Sequence, residues 1–109
     1  MAIRNALKQI DDKQIALLDK EWSKEEGFLG FLREGDFDEV KRDKFLNLVR
    51  SIKEIPLEPN TRRLIALLWF TPIFLEWQKQ QFDNQEIVDK VDHVENEILT
   101  ELYRLLGVP

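Results

Sequence analysis

The stretch LIALLWFTPIFLEW, Leu64 to Trp77, holds two of the chain's three tryptophans, two phenylalanines, a mid-run proline and a single charge. A bilayer crossing needs about 20 apolar residues, because a rise of about 1.5 Å per residue must span roughly 30 Å of hydrocarbon. The apolar run from Leu64 to Leu75 is twelve residues long, and Arg62, Arg63 and Glu76 close its two sides. It therefore reads as a helix of a soluble core. Because it is apolar nearly all round, the expectation is a central element surrounded by other helices. Pro72 has no amide to give Leu68 and its ring crowds that carbonyl. The helix is expected to kink or restart there, with Thr71 as a new cap and Asn60 or Thr61 capping the start.

Outward from this run, apolar residues recur at three and four, and no useful segment alternates as a half-buried strand would. Ile3, Leu7 and Ile10 make one stripe and Ile15, Leu18 and Trp22 another, shifted around Asp11 and Asp12, so the first helix bends there or two helices meet. GFLGFLREG, Gly27 to Gly35, reads as a short apolar helix ended by a left-handed glycine. Asp36 is expected to cap the following helix, with Glu39 completing a capping box. Phe37, Val40, Phe45, Leu48, Val49 and Ile52 should form its buried face. KEIPLEPN, with Pro56 and Pro59, is a rigid connection. The last helix should begin near Asp83 or Asn84 and end at Gly107, burying Ile87, Val91, Val94, Ile98, Leu102 and Leu105. The fold class is all-α: one domain over residues 1–109, a bundle of four to six helices around a central Pro-kinked apolar helix.

A chain of 109 residues with 43% hydrophobic and 34% charged residues is sized for one real core and lies far from disordered compositions. The absence of cysteine excludes disulfides, thiolate zinc sites and thiol nucleophiles, and suits a cytoplasmic setting. MAIRNALKQIDDKQ lacks the apolar core of a signal peptide, so no export by that route is expected.

Catalytic chemistry is sparse. His93 is the only histidine and Ser23 and Ser51 are the only serines, with no nucleophile-elbow setting. Gly27 and Gly30 form a GxxG filled by Phe28 and Leu29, which suits close helix packing better than RNA binding. EGDFDE, Glu34 to Glu39, lacks the spacing of a calcium loop and reads as a helix start. Asp89, His93 and Glu97, spaced by four, are the one metal-like series, without the paired Glu-x-x-His motifs of di-iron bundles. No cofactor is expected.

Charge is more informative. From Asp83 to Glu101 there are seven acidic residues against Lys90 alone, so this segment carries −6 while the rest of the chain is near neutral at +1. Such a surface repels phosphate, which argues against nucleic acid and for a basic protein partner. Glu86, Asp89, Asp92, His93 and Glu95 are the candidate partner-binding residues. Trp22, Trp77 and Tyr103 are the candidate exposed aromatics, and a structural or adaptor subunit, or a homodimer through Trp22, Trp77 or Tyr103, is the alternative reading. A metal-dependent enzyme using His93 is the second alternative.

The run GFLGFLREGDFDEVKRDKFLNLVRSI followed by PNTRRLIALLWFTPIFLEWQ resembles the small, acidic, helical immunity proteins that bacteria encode beside secreted or contact-delivered toxins. The resemblance covers Gly27 to Gln78, about half the chain. It implies a non-enzymatic protein that blocks or displaces the active site of a cognate toxin, often a basic nuclease, and it assigns no binding role to any numbered position.

Overall fold

The computed structural model describes residues 13–53 and 61–107, and everything below concerns these residues. They form five α-helices and no strand: α1 through residues 13–20, α2 Phe28–Arg33, α3 Glu39–Arg50, α4 Thr61–Gln78 and α5 Gln85–Leu106, with a 3₁₀ turn at Lys79–Gln81. The bundle expected from the helical period is what the chain forms. The Ile3, Leu7 and Ile10 stripe, the bend at Asp11 and Asp12, the KEIPLEPN connection and the cap at Asn60 lie outside the described residues.

The turn between α1 and α2 depends on close backbone approach. The Gly30 amide donates to the Glu21 carbonyl at 3.0 Å and the Gly27 amide to the Ser23 carbonyl at 2.9 Å. A Cβ at either glycine would overlap the backbone of Glu21 or Ser23. The GxxG is therefore a packing device, as its apolar filling implies. No side chain at Gly27 caps α2. The Glu21 carboxylate does so from the preceding turn, accepting from the Phe28 amide at 3.0 Å. Burial pushes the Glu21 carboxyl above its ordinary range, partly opposed by that amide.

At the other end of α2, Gly35 takes φ +95°, the Asp36 amide reaches the Phe31 carbonyl at 2.9 Å and the Gly35 amide reaches Leu32 at 3.0 Å. This is the paired-bond stop that a left-handed glycine permits. The cap of α3 is Asp38, two residues later than the sequence suggests. Its carboxylate accepts from the Lys41 amide at 2.9 Å, while Asp36 stays in the exposed loop left by the Gly35 turn. The α3 stripe also needs correcting. Phe45, Leu46, Val49 and Ile52 are buried and Phe37 and Leu48 pack at the edge, whereas Val40 is 66% exposed.

α5 follows its period closely. The Asn84 side chain accepts from the Glu86 amide at 2.9 Å, Gly107 ends the helix at φ +80°, and Val91, Val94, Ile98 and Leu102 are buried with Ile87 and Leu105 beside them. α3 is tied to it by Arg50 to Glu97 at 2.7 Å, Lys90 to Glu39 at 2.6 Å and Arg104 donating to the Ile52 carbonyl at 2.8 Å.

α4 removes the restart from the two alternatives at Pro72 and departs from expectation in its packing. It runs through Pro72 without restarting, and Thr71 is no cap: its buried hydroxyl donates back to the Leu67 carbonyl at 2.8 Å. Nor is the helix surrounded. Leu64, Leu67, Leu68, Phe74 and Leu75 enter the core, but Trp69, Phe70, Ile73 and Trp77 lie on the outside. Among the described residues the other helices cover one side of α4, and an all-round apolar pattern cannot show which side that will be.

Candidate partner-binding surfaces

Two surfaces stand out: an apolar ridge on α4 and the acidic outer side of α5. Trp69 and Trp77 are each 57% exposed, with Phe70 and Ile73 between them at about two-fifths. Spacings of one, three and four place these four on one stripe of the helix. The stripe is braced from one side, where Trp22 packs at 5.7 Å from Phe70 and edge-on at 4.7 Å from Phe74, and Phe70 meets Trp77 at 5.8 Å. These contacts fix the rings' orientation while leaving their outer faces open.

A groove runs along each flank of the ridge. One, of about 340 Å³, lies toward α5 between Trp69, Pro72, Ile73 and Trp77 and the side chains of Glu95 and Leu99. The other, of about 390 Å³, lies toward α1 and is walled by Trp22, Arg63, Ala66 and Phe70. The α5-side groove ends at a charge cluster centred on Lys79. Its ammonium sits 2.7 Å from Glu76, 2.7 Å from Asp92 and 3.5 Å from Glu95. Burial pulls the Lys79 pKa down, but the hydrogen bonds to Asp92 and Glu76 outweigh it and hold the amine well above its ordinary value. Glu95 is pushed up by burial and by its hydrogen bond with Glu76, whereas Glu76 is held low by Lys79. A proton entering this pair therefore resides on Glu95.

The five acidic-face candidates do not form one patch. Glu86 is exposed and 3.7 Å from Lys90, Asp89 is exposed and accepts from Gln85 at 2.9 Å, and His93 is exposed with Nε2 3.7 Å from Glu97. Asp92 and Glu95 turn instead toward Lys79, with Glu95 half-buried in the groove wall. On the opposite flank, Glu97 and Glu101 face Arg50, and Glu101 also meets Arg104 at 2.6 Å. Five of the seven acids in the segment thus lie within ion-pair distance of a lysine or arginine. Much of the −6 fastens α5 to its neighbours, and Glu86, Asp89 and His93 are left as the outward acidic side. Asp89, His93 and Glu97 do not converge, and among the described residues no three His, Asp or Glu side chains form a metal-binding group.

Of the aromatic candidates, Trp77 and Tyr103 are exposed and Trp22 is half-buried against α4. Sequence reasoning missed Trp69, Phe70 and Ile73. The apolar run holds no signal for this: the buried Leu64 and Thr71, Leu67 and Phe74, and Leu68 and Leu75 recur at seven just as do Arg62, Trp69 and Glu76, Arg63, Phe70 and Trp77, and Ala66 and Ile73. Of these, the last eight are exposed.

The described residues thus form a helical bundle in which no other described helix covers an apolar ridge beside an acidic helix. No family model, curated protein or solved structure matches the chain. No helix of the described residues is long and apolar enough to cross a membrane.

Proposed function

We propose that the protein is a non-enzymatic protein-interaction module, and specifically an immunity-type inhibitor that neutralises a cognate basic toxin in the cytoplasm by direct binding. The observation that carries the interaction reading is the α4 ridge. Two tryptophans more than half exposed, side by side with a phenylalanine and an isoleucine, form a contiguous apolar patch of the kind that marks interfaces, and tryptophan is the residue most enriched at their energetic centres.

The inhibitor reading adds the outer side of α5. Glu86, Asp89 and His93 stand on a long helix whose flanks are fastened by Lys79, Arg50 and Lys90. A rigid acidic surface loses little conformational freedom on binding and draws a basic partner in by its field. Blocking a toxin requires only occupation of its active site, so no catalytic group is demanded of the inhibitor.

The test is an affinity capture from the source cells at low and then high salt, with three baits: wild type, Trp69→Asp/Trp77→Asp, and Glu86→Lys/Asp89→Lys. A stoichiometric partner whose recovery falls with one of the variants is the expected result. The same proteins, or none, on all three baits would overturn the reading.

A further inference from the structure

The α4 ridge is charged differently at its two ends, and this bears on what covers it. Arg62 and Arg63 lie exposed at its start and Glu76 lies exposed at its end, with Ala66, Trp69, Phe70, Ile73 and Trp77 between them. A uniformly basic partner would meet the arginines with like charge, and an acidic one would meet Glu76. A second copy of the same helix, running antiparallel, satisfies both ends at once.

The spacing supports that pairing. Recurrence at seven, with members three and four apart, is the pattern that keeps an apolar seam facing a partner helix along its length. In an antiparallel arrangement with the two-fold axis between Trp69 and Phe70, Trp69 lies opposite Trp69 of the second copy on one edge of the stripe and Phe70 opposite Phe70 on the other. Ile73 then lies opposite Ala66, Glu76 opposite Arg62, and Trp77 opposite Arg63. Large meets small at the Ile73 level, opposite charges meet at the rims, and Trp77 lies under a guanidinium, a favourable cation–aromatic placement. A two-fold interface presents the same patch on both molecules, and this stripe is complementary to its own reverse.

The area is also adequate. With aromatic side chains offering roughly 150–250 Å² each, the four ridge residues leave on the order of 400 Å² open per copy. Two copies meeting there would hide about half of the roughly 1,600 Å² total of a standard interface from these four residues alone, and Arg62, Arg63, Ala66 and Glu76, exposed around them, are the further surface the pairing would draw on. Arg63 already contacts Asp19 in a surface ion pair that contributes little, and Glu76 is the most exposed carboxylate of the Lys79 cluster, whose ammonium keeps Asp92 and Glu95 when Glu76 turns outward.

We infer that the ridge is a homodimer interface in which two α4 helices pack antiparallel about a two-fold axis between Trp69 and Phe70. This rests on the reading of the ridge as an interface, and it leaves the outer side of α5 open on both copies for a different partner.

The experiment is sedimentation equilibrium of the full chain over micromolar to millimolar concentration, with folding of every variant checked by circular dichroism. Wild type should sediment as twice 13.0 kDa. Glu76→Arg sets like charges together twice per dimer and should weaken association at least tenfold, as should Arg62→Glu. The double variant Arg62→Glu/Glu76→Arg exchanges the two ends and should recover most of the loss, which pairing in any other register would not produce. A wild-type chain that stays at 13.0 kDa overturns the dimer. If Trp69→Asp/Trp77→Asp then still loses a captured partner, the ridge is an interface for another protein; if it loses nothing, the interface reading falls as well. A dimer indifferent to all three charge variants overturns the antiparallel register.

Discussion

Gly30 stands so close to Ser23 that a Cβ on the glycine would overlap the Ser23 carbonyl, with the Lys24 amide next in line. Backbone cannot rotate away as a flexible side chain does, so Gly30→Ala must move the α1–α2 turn bodily. The cost is expected at or above the top of the overpacking range, about 3 kcal/mol. Gly107→Ala makes the control, since nothing lies near its Cβ and only the φ of +80° opposes it. That change should cost about 1–2 kcal/mol. Urea unfolding of the two variants checks the order.

Lys79 holds three carboxylates together with a side chain that is only 17% exposed. Lys79→Met removes the cation and leaves Glu76, Asp92 and Glu95 facing one another. The expected loss is about 1–3 kcal/mol at pH 7. It should shrink toward pH 4 as Glu95 takes up a proton. Equal losses at both pH values would show that Lys79 acts by packing its stem, not by its charge.

Glu95 supplies a second test, with its sign set by the direction of its shift. Its carboxyl binds a proton more tightly folded than unfolded. Its contribution is therefore fully present below the unfolded pKa and is lost as pH rises through the higher folded value. Glu95→Gln has no such ionisation and should flatten the stability profile from about pH 4 upward. Thermal melts of variant and wild type across that window measure it.

α5 was legible end to end, because a 22-residue helix with an unbroken period, an Asn84 cap and a Gly107 stop leaves no competing reading. The α3 cap was not. DFD offers two aspartates, and which one caps depends on how far the Gly35 turn carries the chain, a tertiary matter. α4 is legible as an element but not in its facing: the all-round apolar pattern implies a surrounded helix and carries no internal statement of which side its own chain leaves open. The acidic segment was legible as charge and misleading as a patch, because Arg50, Lys79 and Arg104 reach it from distant or C-terminal positions that a count along the sequence does not connect.

Val40 and Phe45 separate pattern from packing. Both fit the helical stripe, yet Phe45 is buried and stacked on Phe28 at 5.7 Å while Val40 is open to solvent. Phe45→Ala should cost about 3–5 kcal/mol and Val40→Ala less than about 0.5 kcal/mol, by chemical denaturation.

Pro72 poses the last question, why a helix accepts a proline where α4 meets α5. The missing amide belongs to the Leu68 carbonyl, and Leu68 is fully buried. The nearby hydroxyl of Thr71 does not replace that donor, since it goes to Leu67. An interior proline costs a helix about 3 kcal/mol, and here the carbonyl gains no side-chain compensation among the hydrogen bonds of the described residues. Pro72→Ala restores the donor and removes the ring clash, and it should stabilise the protein by about 1–3 kcal/mol if backbone strain is the only consequence. Pro72 also lines the groove between the ridge and α5. If its ring sets the path that keeps Trp69, Ile73 and Trp77 in register, the same substitution should raise the melting temperature while weakening self-association. A variant that is less stable than wild type would mean instead that the α4–α5 packing requires the path the proline imposes.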